Sequence, residues 1–236
     1  MISVVMATYN GQLYIEEQLS SILKQLNNND EIIIVDDCSK DKTVSIIESL
    51  QESRIKLLKN DKNIGVVGNF YKGLCHATGD FIFLSDQDDV WESNKVEKTL
   101  KELVNYDLIC HDCKVTDSNL NEIYPSYISY RNSGKGVLKN YLKNGYIGCC
   151  MAFKKEVFEV AKTNFLEVPM HDVWLGLIAE LKGYKVKFMD EILVKYRRHE
   201  DVVSETGRKR QILPSIKSLT ERITLLKLLT YSMIKK

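Results

Sequence analysis

The sequence predicts an α/β fold: a mainly parallel sheet flanked by helices, with a helical extension at the C-terminal end. Three observations carry this expectation. Short β-branched runs alternate with stretches whose apolar residues recur at helical spacing. The first four of those runs lead into polar or acidic residues, as in open sheets that bind ligands beyond the carboxyl ends of their strands. From Gly207 onward the chain becomes basic and amphipathic.

In chain order, Ile2 to Ala7 is a buried strand that leads into Thr8-Tyr9-Asn10. From Gln12 to Leu26 the residues Leu13, Ile15, Leu19, Ile22, Leu23 and Leu26 recur mostly as a helix requires. Glu31 to Val35 is a second strand, ending in Asp36-Asp37, and Ser39 is placed to cap the next helix, whose inner face is Val44, Ile46, Ile47 and Leu50. Ile55 to Leu58 gives a third strand, and Asn63-Ile64-Gly65 leads into a helix from Val66 to Ala77. Phe81 to Leu84 is a fourth strand that stops at Ser85-Asp86-Gln87-Asp88-Asp89. The second half is more mixed: strands at Tyr106 to Cys110, Cys149 to Phe153, Val186 to Phe188 and Ile192 to Tyr196, and helices at Gly136 to Leu142 and Asp172 to Leu181, the last stopped by Gly183.

With 236 residues, 44% hydrophobic and 28% charged, the chain suits one soluble domain with an appendage. A net charge of +1 gives no pull toward nucleic acid. Met1 to Met6 carries no basic leader, and no apolar run approaches the ~20 residues that span a bilayer, so the expected location is the cytoplasm. Six cysteines agree with that if they stay reduced. Cys110-His111-Asp112-Cys113 has the look of half a zinc site, but Cys149-Cys150 lacks the spacing of a second knuckle, and buried strand cysteines account for them better.

The chemistry concentrates at the strand ends. Asp86, Asp88 and Asp89 repel one another unless a cation neutralises them, and Mg²⁺ or Mn²⁺ typically bridges such carboxylates to a diphosphate; a solvated acidic turn is the bland alternative. Asp37 can accept a hydrogen bond from a base or ribose, or can simply favour a helix N-terminus. Tyr9 can stack on a planar base, although tyrosines in turns are commonplace. Together the four ends describe a nucleotide pocket.

The segments Val5 to Asn10, Val35 to Thr43, Asn63 to Gly65, Ala77 to Asp80 and Phe83 to Trp91 resemble, in that order, family 2 glycosyltransferases of the GT-A fold. The form Ser85-Asp86-Gln87-Asp88-Asp89-Val90-Trp91 is similar to the rhamnosyltransferase-like branch of bacterial surface-polysaccharide enzymes. The resemblance implies that Tyr9 stacks on the base, Asp37 accepts its imide N–H, Asp86 contacts the ribose and Asp88 ligates a divalent cation. It puts Thr8, Asn10, Asn63, Gly65, Asn69 and Gln87 on the nucleotide-sugar side. More thinly, Met170 to Leu175 resembles the family's acceptor-side segment, making Asp172 the general base of an inverting transfer. Tyr196 to Ser204 resembles a later segment of the Tyr-Arg-Gln-His type but has Arg198 where that pattern has Gln; it suggests His199 for the metal shell or the diphosphate and Arg197 or Arg198 for the leaving group's charge.

The resemblance implies a GT-A catalytic domain over residues 1–206, with a nucleotide-binding half to about 105 and an acceptor half from about 106. Residues 207–236 form the basic tail, with Ile216, Leu219, Ile223, Leu226, Leu229 and Met233 on one helical face. The tail can lie on an anionic membrane, pack on the catalytic body or pair with a second copy in a homodimer; a lipid-linked glycan acceptor favours the inner face of the plasma membrane. The implied donor is a UDP- or dTDP-sugar. The rivals are a sugar-1-phosphate nucleotidyltransferase, for which Thr8 to Gln12 lacks the glycine-rich basic loop, and a catalytically inactive membrane scaffold, against which the intact acids argue.

Overall fold

The structure, a computed structural model, describes residues 1–199 and the helix Ile216–Ile234, the latter with side chains from Thr220 to Ser232. The predicted Gly207 boundary, the motif residues 200–204, Arg208, Lys209, Arg210, Lys235 and Lys236 lie outside the described residues, as do the side chains of Ile216, Lys217, Leu219 and Met233.

The first half is built as the apolar pattern requires. Strands β1 (Ile2–Thr8), β2 (Glu31–Asp36), β3 (Ile55–Lys59) and β4 (Phe81–Ser85) pair in parallel in the order β3-β2-β1-β4. The near-continuous apolar runs of β1, β2 and β4 are buried because helices cover both faces of a parallel sheet, whereas β3, at the sheet edge, is only partly buried. Those helices are α1 (Ile15–Leu23), α2 (Thr43–Ser49) and α3 (Gly65–His76). The order runs outward from β1 to β3, then returns to place β4 on the other side of β1. That reversal makes the carboxyl ends of β1 and β4 the topological switch point of the sheet, the position where open α/β sheets bind ligands.

Beyond β4 the sheet changes character. It continues through β8 (Met151–Lys154), β6 (Leu108–Thr116), β9 (Val186–Arg197) and the two-residue β5 (Val90–Trp91), with β7 (Glu122–Tyr124) beside β6. Of these pairings only β6 with β9 is parallel, so the parallel character belongs to the first half. The two late strands expected at 186–188 and 192–196 are one strand, β9, whose register against β6 shifts twice. The helices of this half are α4 (Lys95–Leu103), α5 (Tyr127–Arg131), α6 (Val137–Leu142), α7 (Lys155–Ala161) and α8 (His171–Leu181). Gly183, at φ +81°, adopts the left-handed conformation that stops α8.

Two local expectations change. Ser39 does not cap α2, whose first helical residue is Thr43; its hydroxyl donates to Asp36 Oδ1 at 2.5 Å instead. The run at Cys149 begins with a 3-10 turn, Gly148–Cys150, and the strand starts at Met151.

The described tail helix, α9 (Ile216–Ile234), packs on the body of the domain. Leu225 and Leu229 are buried, and Tyr141 Oη donates to the Arg222 carbonyl at 3.2 Å. Ile223 and Leu226, expected on the apolar stripe with Leu229, face outward. The run Leu225-Leu226-Lys227-Leu228-Leu229 offers two overlapping apolar faces, and the one through Leu225 is the one that docks. No helix among the described residues is long and apolar enough to cross a membrane.

Candidate functional site

Side-chain latches join the carboxyl ends of β1 and β4 at this switch point. Gln87 closes it: its Nε2 donates to the Tyr9 carbonyl at 3.0 Å, and its Oε1 accepts from the Tyr9 amide at 2.9 Å and from Thr8 Oγ1 at 2.5 Å. Asn10, at φ +50°, ties this end to the loop after β2, accepting from the Lys40 amide at 2.8 Å and donating its own amide to Ser39 Oγ at 2.9 Å. Thr8, Asn10 and Gln87 therefore build the rim with their polar groups engaged in protein contacts. The Tyr9 ring stays available, with the residue 46% exposed.

Asp37 organises the next wall. Its Oδ1 accepts from the Ile64 amide at 2.8 Å and from Asn60 Nδ2 at 3.0 Å, and its Oδ2 accepts from the Gly65 amide at 2.9 Å. Gly65 sits at φ +78°, a conformation costly for any residue with a Cβ. Asn69 is buried on α3, accepting from Asn60 Nδ2 at 2.7 Å, while Asn63 Nδ2 reaches the Asp37 carbonyl at 3.5 Å. Asp37, Asn63, Gly65 and Asn69 thus form one loop-holding network around Asn60.

The acidic loop splits into three environments. Asp88, partly buried, accepts from His199 Nε2 through Oδ2 at 2.8 Å, and the His199 ring lies 4.8 Å from that of Tyr14. Asp89 is fully buried; its Oδ1 accepts from the Arg197 amide at 2.9 Å, which locks β9 to the loop, while its Oδ2 has no hydrogen-bond partner. Asp86 is half-buried, and burial, helped by the charges of Asp88 and Asp172, pushes its carboxyl up to about 7.

Arg197 reaches the site, but its guanidinium is turned to protein partners. Nε donates to the Asp88 carbonyl at 2.7 Å, Nη1 to the Ser118 carbonyl at 2.5 Å and Nη2 to Glu17 at 2.5 Å. It clamps the acidic loop to α1 and to the turn after β6.

In the second half Asp172 stands in the first turn of α8. Its Oδ1 accepts from the Val173 amide at 2.7 Å and its Oδ2 from the Gly148 amide at 3.2 Å. Burial pushes its carboxyl up to about 6, against those two bonds. The neighbouring His171 is buried, stacks on Phe70 at 3.9 Å and is held neutral by desolvation, with its pKa at about 3.

Two arrangements can be weighed for a divalent cation. Asp86, Asp89 and Cys149 offer ligand atoms within 4.8 Å of one another. The Cys149 thiol there is held protonated by Cys150 and by burial, and a neutral thiol suits neither Mg²⁺ nor Mn²⁺. Asp88 and His199 pair an oxygen with a nitrogen at the partly open rim, a better fit for Mn²⁺. Cys110 and Cys113 are buried in β6, as strand cysteines should be.

One residue went unread in the sequence. Lys95, at the start of α4, is fully buried; its Nζ donates to the Cys149 carbonyl at 2.7 Å and lies 3.9 Å from the Trp91 ring. The signal existed in Val96, Leu100 and Leu103, whose helical spacing defines α4 and would have carried Lys95 into the interior.

Comparison with known proteins supplies the remaining findings. The profile described as Glycosyl transferase family 2 matches residues 3–161. The chain is 30% identical to the dTDP-rhamnosyl transferase RfbG of Shigella flexneri, covering 83% of this chain and 72% of that protein. It is 28% identical to WfgD of Escherichia coli, named as a UDP-Glc:alpha-D-GlcNAc-diphosphoundecaprenol beta-1,3-glucosyltransferase, covering 89% and 81%. Among solved structures, the mannosyltransferase PcManGT from Pyrobaculum calidifontis, in complex with GDP-Man and Mn²⁺, superimposes with a TM-score of 0.63 at 20% identity, over 85% of this chain and 57% of that one.

Proposed function

The chain belongs to glycosyl transferase family 2 and is a glycosyltransferase, and on that premise we propose that it is an inverting enzyme that moves a sugar from a nucleoside-diphosphate sugar to a hydroxyl of a glycan acceptor in bacterial surface-polysaccharide synthesis. The observation that carries the mechanism is the approach of two carboxylates from opposite halves: Asp172 of the acceptor side accepts the Gly148 amide at 3.2 Å, and the next residue, Cys149, has its thiol within 4.8 Å of the Asp86 and Asp89 carboxylates of the nucleotide side. A donor sugar laid between them would have its diphosphate at one and its acceptor at the other. In this reading residues 1–105 bind the nucleotide, 106–206 meet the acceptor, and 207–236 form the tail.

Tyr9 stacks on the base, and Asp37 shapes the base end by fixing the Ile64 and Gly65 amides, with room on Oδ2 for one more donor. Asp86 accepts from the ribose. Asp88 and His199 would hold the divalent cation, Mn²⁺ or Mg²⁺, whose charge, when bound, neutralises the departing diphosphate. Asp172 removes the acceptor hydroxyl's proton as its oxygen attacks the anomeric carbon from the face opposite the diphosphate, which inverts the centre. A carboxyl at about 6 is ionised at neutral pH yet more basic than an ordinary aspartate, as a general base should be. The names RfbG and WfgD support a dTDP- or UDP-sugar donor, and that of WfgD supports a lipid-linked acceptor, which the enzyme in this reading meets at the inner face of the plasma membrane.

The test is a thermal-shift panel of UDP-, dTDP- and GDP-sugars with and without Mn²⁺, followed by turnover of the best binder. A ligand at a hundred times its Kd should stabilise the fold by ~2.7 kcal/mol. Asp172→Asn should keep that shift while turnover falls at least ~10³-fold. A variant that turns over normally sinks the base assignment, and a panel without any shift sinks the donor assignment.

A further inference from the structure

The acceptor-side base and the acidic loop come from segments more than eighty residues apart, and one buried side chain touches the structure that joins them. Lys95 is fully buried at the first position of α4, where the helix dipole disfavours a cation, and desolvation lowers its pKa to about 8. A lysine so placed costs stability unless its charge and its hydrogen bond serve something. The titratable groups facing it are Asp86 and Asp89 from the loop after β4, Cys110, His111 and Cys113 from β6, and Cys149 and Cys150 from the turn before β8. Its ammonium donates at 2.7 Å to the carbonyl of Cys149. The preceding residue, Gly148, donates its amide to Asp172 Oδ2 at 3.2 Å.

We propose that Lys95 is a positioning residue of the transfer reaction: it serves as the fixed cation beneath the acidic loop and, through the Cys149 carbonyl, holds the Gly148–Cys150 turn whose amide orients Asp172. The inference rests on the glycosyltransferase reading for its catalytic consequence, but the mechanical link from Lys95 to the turn does not depend on what the enzyme transfers. Lys95 also connects the halves, because α4 follows the nucleotide-side loop while the turn belongs to the acceptor side. Trp91 completes the seat with its ring against the ammonium, a contact that favours a cation over a neutral side chain.

Two variants separate the parts of this role. Lys95→Met keeps length and apolar bulk but removes both charge and donor; Lys95→Gln keeps a donor and removes the charge. In the substrate-free protein, Lys95→Met should raise amide hydrogen exchange across residues 145–151 by ~tenfold or more, with Lys95→Gln in between. In turnover with the best donor of the panel, Lys95→Met should lower kcat by ~10–100-fold while donor KM stays within ~threefold, because the loss falls on the orientation of the base and spares donor binding. The acid limb of its pH profile should move to higher pH, since the Gly148 amide that stabilises the Asp172 anion is released. In an Asp172→Asn background the same substitution should cost little further, as expected for a residue acting through Asp172.

Unchanged exchange across residues 145–151 in Lys95→Met overturns the tether, and an unchanged kcat with altered exchange overturns its catalytic meaning. A loss in kcat that multiplies fully with that of Asp172→Asn also overturns it. If Lys95→Met does not fold, the same readings on Lys95→Gln decide. Exchange needs no substrate, so a wild type inactive on every nucleotide sugar would defeat the glycosyltransferase reading and still leave the tether decided.

Discussion

Asp172 illustrates how one residue's surroundings set both its reactivity and its cost. Burial raises its carboxyl from 3.8 to about 6. As a base it works only when ionised, so kcat/KM should fall about tenfold per pH unit below ~6 and level off above it. A profile flat down to pH 4.5 would exclude Asp172 as the base. The same shift has a stability consequence of fixed sign. The folded state holds the proton more tightly than the unfolded one, so the stabilisation is complete below the unfolded pKa and is lost as pH rises through ~6. The wild type should therefore lose stability relative to Asp172→Asn between pH 4 and 7, by ~1–3 kcal/mol, and then run parallel to it. Denaturant unfolding at a series of pH values reads this directly, and a constant difference between the two proteins would refute the burial-raised pKa assigned to the carboxyl.

At the scale of elements, the nucleotide wall depends on one turn. Asp37 accepts three donors, and two of them are the Ile64 and Gly65 amides that open α3. Gly65→Ala forces a Cβ into φ +78° and should cost ~1–2 kcal/mol in unfolding free energy. It should also weaken the nucleotide-dependent thermal shift, whereas a loop irrelevant to the donor would leave that shift intact. Elements of this first half were legible because buried parallel strands are written as uninterrupted apolar runs, such as Ile32-Ile33-Ile34-Val35. The helix α4 was not read, since five of its nine residues are Lys or Glu and its three apolar ones attract little notice. Two-residue β5 and three-residue β7 exist only through their partners β9 and β6, and no local pattern announces them. The candidate site followed the same division. Asp37, Asp86, Asp88 and Asp172 stand out as carboxylates at element ends. The clamp by Arg197 and the seat of Lys95 arise from contacts across more than fifty residues of sequence.

At the scale of the molecule, a parallel half and a mixed half share one sheet, and α9 lies against the mixed half with part of its apolar surface still outward. Leu225 and Leu229 are buried on the body, while Ile223, Leu226 and Lys227 are exposed beside it. Tyr141 and Arg222 join α9 to α6, where Leu138 and Leu142 are exposed together with Lys139 and Lys143. A surface that mixes leucines with lysines is suited to a membrane bearing anionic lipid, each cation contributing ~1 kcal/mol near the surface and losing that contribution as salt screens it. Removing the whole tail would confuse binding with folding, because it also strips Leu225 and Leu229 from the core. The combined substitution Ile223→Ser, Leu226→Ser and Lys227→Glu touches only outward positions and should leave the melting temperature within about 2 °C of the wild type. It should nevertheless reduce co-sedimentation with phosphatidylglycerol-containing vesicles at least ~tenfold, with little change on neutral vesicles. Equal co-sedimentation of variant and wild type, or wild-type binding insensitive to salt, would assign the outward face of α9 to something other than an anionic bilayer.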